Sequence, residues 1–182
     1  MGIRKVQFAN NEYYHVFNRG VDKRIIFNTQ EQQAYFLSRL QLLNTTDSRK
    51  YITNKRNRYK HKEIFGEGDQ LVSIVAYCLL PNHFHLLLKQ EVEDGISQFM
   101  QRLGTAYTMF FNQQEKRSGG LFQGKFKATH LNAELALPVL SAYINLNYAY
   151  HKMNSKTNLV KSSLVDYLSC AGKVCTNDIC MQ

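Results

Sequence analysis

The sequence predicts an α+β fold in which four strands form one antiparallel sheet, with helices on one face and a further helix appended towards the C-terminal end. Three observations lead there. Alternating and helical apolar patterns follow one another in the order strand, helix, strand, strand, helix, strand. The two central strands lie in one stretch, Val72 to Lys89, broken only by Leu80, Pro81 and Asn82, which reads as a β-hairpin. The last amphipathic segment then has no further strand to pair with, so it stands outside the split βαβ pattern.

Taken in order, Glu12 to Asn18 is aromatic and β-branched and stops at Arg19-Gly20, which makes it a first strand followed by the basic turn RGVDKR. Thr29 is an N-cap for TQEQQAYFLSRLQLLN, where Phe36, Leu37, Leu40 and Leu43 recur at helical spacing. A basic insertion follows at about residues 45–70. It carries Arg49, Lys50, Lys55, Arg56, Arg58, Lys60 and Lys62 with Tyr51 and Tyr59, and it reads equally as a solvated loop or as a phosphate-contacting arm. After the hairpin, Gly95 to Glu115 forms a second helix with Ile96, Phe99, Met100, Leu103, Tyr107, Phe110 and Phe111 in its stripe. The glycine-rich link KRSGG leads to LFQGKFKATHL, whose end is a fourth strand carrying Lys125 and Lys127. From Asn132 a third helix runs through ELALPVLSAYINLNYAYHK, with Pro138 near enough to its start to be tolerated in the first turn. This is the ferredoxin-like arrangement, and its second sheet face is expected to be open for a ligand. One catalytic-sized domain, residues 1–152, precedes a C-terminal extension, 153–182, with a short segment around Leu164 to Leu168 and a weak tail.

Composition narrows the class. A chain of 182 residues with 44% hydrophobic content supports one real core, and a net charge of +9 points to a polyanionic partner, nucleic acid first. No apolar run approaches the ~20 residues that cross a bilayer, and the start lacks a secretion signal's apolar core, so a cytoplasmic protein is expected. Cys170, Cys175 and Cys180 fall at five-residue spacing, unlike Cys-x-x-Cys zinc patterns, and with Cys78 they read as reduced thiols that bind no metal.

Two places carry candidate chemistry. On the second hairpin strand, period-two alternation puts His83 and His85 on one face with Leu87, and Phe84, Leu86 and Leu88 on the other. Paired imidazoles on a rigid strand are either ordinary half-buried histidines or the start of a divalent metal site that needs a third ligand from elsewhere. On the third helix, Tyr143 and Asn147 stand four residues apart and so share a face, although tyrosines of amphipathic helices also serve as core-edge residues. Lys125 and Lys127 beside aromatics suit a path for an unpaired strand, or deter edge-to-edge aggregation.

The segments LLPNHFHLLL, SGGLFQGKFK and AYINLN, with NRGVDKRIIF before them, resemble in order and separation the single-tyrosine HUH transposases, above all the REP-associated tyrosine transposases. The resemblance spans about Glu12 to His151, with a weaker echo in SSLVDYL. Two features depart from it: Tyr148 and Ala149 stand where relatives often have proline and a basic residue, and Phe122 replaces a common tryptophan. The resemblance implies a metal held by His83, His85 and Asn147, Mg²⁺ or Mn²⁺, and Tyr143 as nucleophile. It also implies cleavage and joining of single-stranded DNA beside a hairpin, through a 5′ phosphotyrosine and a free 3′ hydroxyl. Arg19, Lys55, Arg56, Arg58, Lys125 and Lys127 are the candidate DNA contacts, and monomer and homodimer both stay open. The alternatives are a nucleic-acid-binding domain of the same fold that cuts nothing, and a metal-dependent RNA nuclease that uses water.

Overall fold

In a computed structural model of the protein, which describes residues 6–47, 68–150 and 160–164, the central hairpin sets the sheet. Strand β2 (Val72–Leu80) turns through Pro81 and Asn82 into β3 (His83–Gln90). Strand β1 (Tyr13–Arg19) pairs with the other side of β3, and β4 (Lys127–Leu131) pairs with β1, all antiparallel. A fifth strand, β5 (Lys161–Ser162), adds two residues to the free edge of β2, giving the order β4-β1-β3-β2-β5. The expected four-stranded sheet is therefore present and widened by a strand from the expected C-terminal extension.

Helix α1 (Gln30–Leu42) starts where the Thr29 hydroxyl accepts the Gln32 N–H at 3.2 Å, as its cap position predicts. Helix α2 (Gly95–Gln114) is capped by the buried side chain of Gln90, whose Oε1 accepts the Ile96 N–H at 3.2 Å. Both helices lie on one face of the sheet, around Phe27, Phe36, Phe84, Phe99, Leu86 and Tyr107. The Tyr107 hydroxyl donates to the Ile26 carbonyl in this core.

The other face is not wholly open, which corrects the expectation of a free surface. Helix α3 (Ala133–Asn145) lies over β2 and β3 there, with Leu137, Leu140 and the buried Ile144 against Ala76, Cys78, Leu80 and Leu87. A bulge explains the composition of that face: Ile74 pairs with Leu88 but Ala76 with Leu87, so Val75 is an extra residue and the parity of β2 switches. Ile74 thus packs with α1 and α2, while Ala76, Cys78 and Leu80 face α3. Pro138 is the sixth residue of α3 and not in its first turn, so the helix forgoes one main-chain bond there and continues.

The third helix also ends earlier than its periodicity suggests. Leu146 (φ −98°, ψ 9°) breaks it, with its N–H donating to the carbonyls of Ala142 and Ile144, and Asn147–Tyr150 form a separate turn, α4. Asn145 holds the break in place. Its Oδ1 accepts the Ser163 hydroxyl at 2.7 Å, and the same hydroxyl accepts the Tyr77 N–H at 3.0 Å. The segment after α4 therefore clips the tyrosine-bearing helix to β2.

Candidate active site

Alternation along β3 places His83 and His85 on the α3 side of the sheet, as expected, and cross-strand pairing extends that face. Arg19 pairs with His83, Phe17 with His85, and His15 with Leu87, so these β1 side chains share the face. On β4, Lys127 pairs with Phe17, which brings a cation to the rim of the same face. Arg19 and Lys127 are exposed. Lys125 precedes the strand rather than lying in it and lines a groove on the α2 side with Asn18, Phe122 and Phe126. The groove measures about 830 Å³. The insertion cations Lys55, Arg56 and Arg58 lie outside the described residues. Its flanks are held together, since the Thr46 N–H donates to the Asp69 carbonyl at 2.8 Å.

Three segments distant in sequence meet at the start of β3. Gly20 donates its N–H to the Asn82 carbonyl at 2.9 Å and forms a bridge with Phe122, and the Val21 N–H donates to the Leu121 carbonyl at 2.9 Å. Gly20 is required by space: a Cβ there would stand 2.4 Å from the Arg24 carbonyl oxygen. The turn that follows passes through positive φ at Asp22 (53°) and Lys23 (61°). Its Lys23 carbonyl accepts the Asn82 amide Nδ2 at 3.3 Å, which leaves Asn82 Oδ1 facing His83 Nδ1 at 2.6 Å. An amide oxygen only accepts, so His83 Nδ1 must carry the proton and Nε2 the lone pair. Sequence reading saw Asn82 only as a turn residue; it also orients a histidine.

His85 is buried, and its Nδ1 lies 2.8 Å from Nε2 of His15. The two rings stack with centroids 5.0 Å apart, and Phe17 packs against both at 5.1 and 5.8 Å. Burial pulls the His15 pKa down to about 4, so this ring is neutral at physiological pH. His15 was missed as a site residue, although alternation in YYHVFNR could have placed it on the face of Phe17. What was needed was the pairing of β1 with β3.

Asn147 does not share a continuous helical face with Tyr143, because the break at Leu146 intervenes. It is 1% exposed, whereas Tyr143 is 41% exposed at the margin of the stripe that contains Ile144. Neither the Oδ1 nor the Nδ2 of Asn147 has a hydrogen-bond partner among the described residues. Leaving a buried amide unpaired costs ~1–3 kcal/mol, an expense that a ligand-binding position explains. Its neighbour Tyr148 hydrogen-bonds Cys78 through the main chain, and Cys78 pairs with His85, so Asn147 sits close to the histidine strand. Cys78 itself forms no disulfide, and burial pushes its thiol up to about 12. No group of three His, Cys, Asp or Glu side chains suited to a metal occurs among the described residues. Two imidazoles and a buried amide are the side chains here that could offer nitrogen and oxygen donors to a divalent cation.

The sequence model of the family described as "Transposase IS200 like" matches residues 34–147, well over half of the chain, and takes in both histidines, Tyr143 and Asn147. The chain belongs to the IS200-like transposases. In fold, this transposase is similar to the solved structure of a REP-associated tyrosine transposase bound to a REP hairpin. The TM-score is 0.62 at 14% identity, covering 100% of this chain and 95% of the other. No curated protein matches it in sequence. Among the described residues, no helix of this transposase is long and apolar enough to cross a membrane.

Proposed function

We propose that this transposase cuts and rejoins single-stranded DNA with Tyr143 as nucleophile, assisted by Mg²⁺ or Mn²⁺ held by His83, His85 and Asn147, within a catalytic unit of residues 1–152. The observation that carries the reading is that the helix bearing an exposed phenol packs on the sheet face that bears two oriented imidazoles. A phenol is a weak nucleophile at neutral pH, so the phosphodiester must be polarised where it is attacked. A cation held by His83, His85 and Asn147 would supply that polarisation by offsetting the negative charge of the phosphate. The chain's own residues do the rest. Tyr143 Oη attacks phosphorus in line as its proton passes to solvent, the bond to the 3′ oxygen breaks, and that oxygen takes up a proton from solvent and leaves as a hydroxyl. The 5′ phosphate is left on Tyr143, and a second 3′ hydroxyl reverses the step and joins strands. Arg19 and Lys127 hold the strand's phosphates along the rim of the face, and Lys125 does so beside the α2 groove. A REP hairpin is bound by the structurally similar transposase, and we extend hairpin recognition to this one, with Lys55, Arg56 and Arg58 as backbone contacts.

The test uses single strands labelled at one end or the other, incubated with Mn²⁺ and run on a denaturing gel. The 3′-labelled part should migrate with the protein, and the 5′-labelled part should be released with an extendable 3′ hydroxyl. Cleavage that leaves both labels off the protein would replace Tyr143 with water, and binding without cleavage would make this a non-catalytic member of the family.

A further inference from the structure

We propose that His15 is a positioning residue that holds His85 in its Nδ1–H tautomer, so that the Nε2 of His85 is kept as a lone-pair donor facing the site. This deepens the metal reading above and rests on it. Two imidazole nitrogens that lie 2.8 Å apart share one proton between them. If His15 donates it, His85 carries its own proton on Nε2 and cannot ligate through that atom. If His15 accepts it, His85 Nδ1 is the donor and Nε2 is the lone pair. The second arrangement repeats at His85 what Asn82 imposes on His83, where the amide oxygen leaves only the Nδ1–H form. Both histidines of the pair then present the same nitrogen, each fixed by a neighbour outside the pair, as ligating histidines generally are.

The surroundings favour acceptance by His15. With Nδ1 occupied by His15 at 2.8 Å, Nε2 is the one ring nitrogen of His85 left to meet a cation, and it bears a lone pair only if His15 accepts. Register fixes its position independently: on the shared face His15 lies diagonal to His85, with Phe17 between them in sequence and directly opposite His85. Phe17 stacks on His85 and packs at a tilt against His15, limiting the rotation of both rings. His15 stands ahead of the span matched by the family model and was not among the residues that the resemblance supplies.

The experiment compares wild type, His15→Phe, His15→Gln and His83→Ala. Free Mn²⁺ is followed by electron paramagnetic resonance, and the His85 tautomer is read from ¹⁵N chemical shifts of the metal-free protein. His15→Phe keeps a stacked ring and loses the acceptor; His15→Gln keeps an acceptor oxygen at the same reach. The expected result is an Nδ1–H tautomer at His85 in wild type. His15→Phe should weaken Mn²⁺ binding by about 10–100-fold, and His15→Gln should lie within about threefold of wild type. An Nε2–H tautomer at His85 in wild type overturns the proposal, and so does Mn²⁺ affinity in folded His15→Phe equal to wild type. If His15→Phe does not fold, the wild-type tautomer and the Gln variant still decide. Undiminished Mn²⁺ affinity in His83→Ala would overturn the metal reading itself, and is told apart because it appears without any change at residue 15.

Discussion

Two tyrosines, each changed to phenylalanine, separate chemistry from stability. Tyr107 is fully buried, its hydroxyl donates to the Ile26 carbonyl, and burial with the nearby Glu115 pushes its phenol well above the ordinary range. Tyr107→Phe leaves that carbonyl facing apolar side chains. The cost is about 1–3 kcal/mol, which at about 2–4 °C per kcal/mol for a chain of this size lowers Tm by roughly 2–12 °C. Tyr143 is 41% exposed, and Tyr143→Phe removes one oxygen at the margin of the buried stripe, so stability should move by less than about 0.5 kcal/mol. The chemistry should behave in the opposite way. Tyr143→Phe has no atom to attack phosphorus and forms no adduct, while Tyr107→Phe forms it at the wild-type rate below its melting temperature. Thermal melts paired with denaturing gels on labelled single strands read both axes. Wild-type cleavage by Tyr143→Phe would refute the assignment of the nucleophile; loss of the adduct in folded Tyr107→Phe would refute the reading of Tyr107 as packing.

Three further outcomes follow from the same structure. The Cys78 thiol has its folded pKa raised from 9.0 to about 12, so the folded form keeps a proton that the unfolded chain releases first; stability should be full below pH about 9 and fall as pH rises towards 12. Urea titrations across that window should show a shallower decline in Cys78→Ala, and parallel declines would remove the assigned cause. DNA affinity should fall steeply with salt, and changing Lys55, Arg56 and Arg58 together to alanine should reduce the slope of log K against log salt by about 2 on a single strand; an unchanged slope returns the insertion to a solvated loop. Ser163→Ala strips partners from the Asn145 amide and the Tyr77 N–H and should destabilise by about 2–3 kcal/mol in urea, whereas a loss under about 0.5 kcal/mol would mean that the clip does not form in solution.

Much of the scaffold was legible because it rests on local periods. Val72 to Lys89 alternates strongly around Pro81-Asn82, and Thr29 announces α1 by its own side chain. What escaped depends on contacts that no short window contains. The Val75 bulge changes which β2 residues face α3, yet VSIVAYCLL reads as plain alternation. β5 is two residues long and exists only by pairing with β2. The helix appears continuous through AYINLNYAY because neither glycine nor proline marks Leu146; the contact at the break, from Ser163 to Asn145, comes from a segment remote in sequence. The histidine pair was legible from alternation, but its orientation by Asn82 and His15 was not, since both depend on neighbours brought in by the fold.

The junction of Gly20, Asn82 and Phe122 has a consequence for mutational robustness. Replacing Gly20 with any other residue drives a Cβ into the Arg24 carbonyl, and main-chain atoms have little room to give. Relief must come from the turn through Lys23, whose carbonyl anchors the amide that orients His83. A side chain that touches neither DNA nor cation would then behave in a screen for lost cleavage as a ligand residue does. An inactive copy of this transposase with both histidines, Asn147 and Tyr143 intact can therefore owe its silence to the turn between the first strand and the first helix.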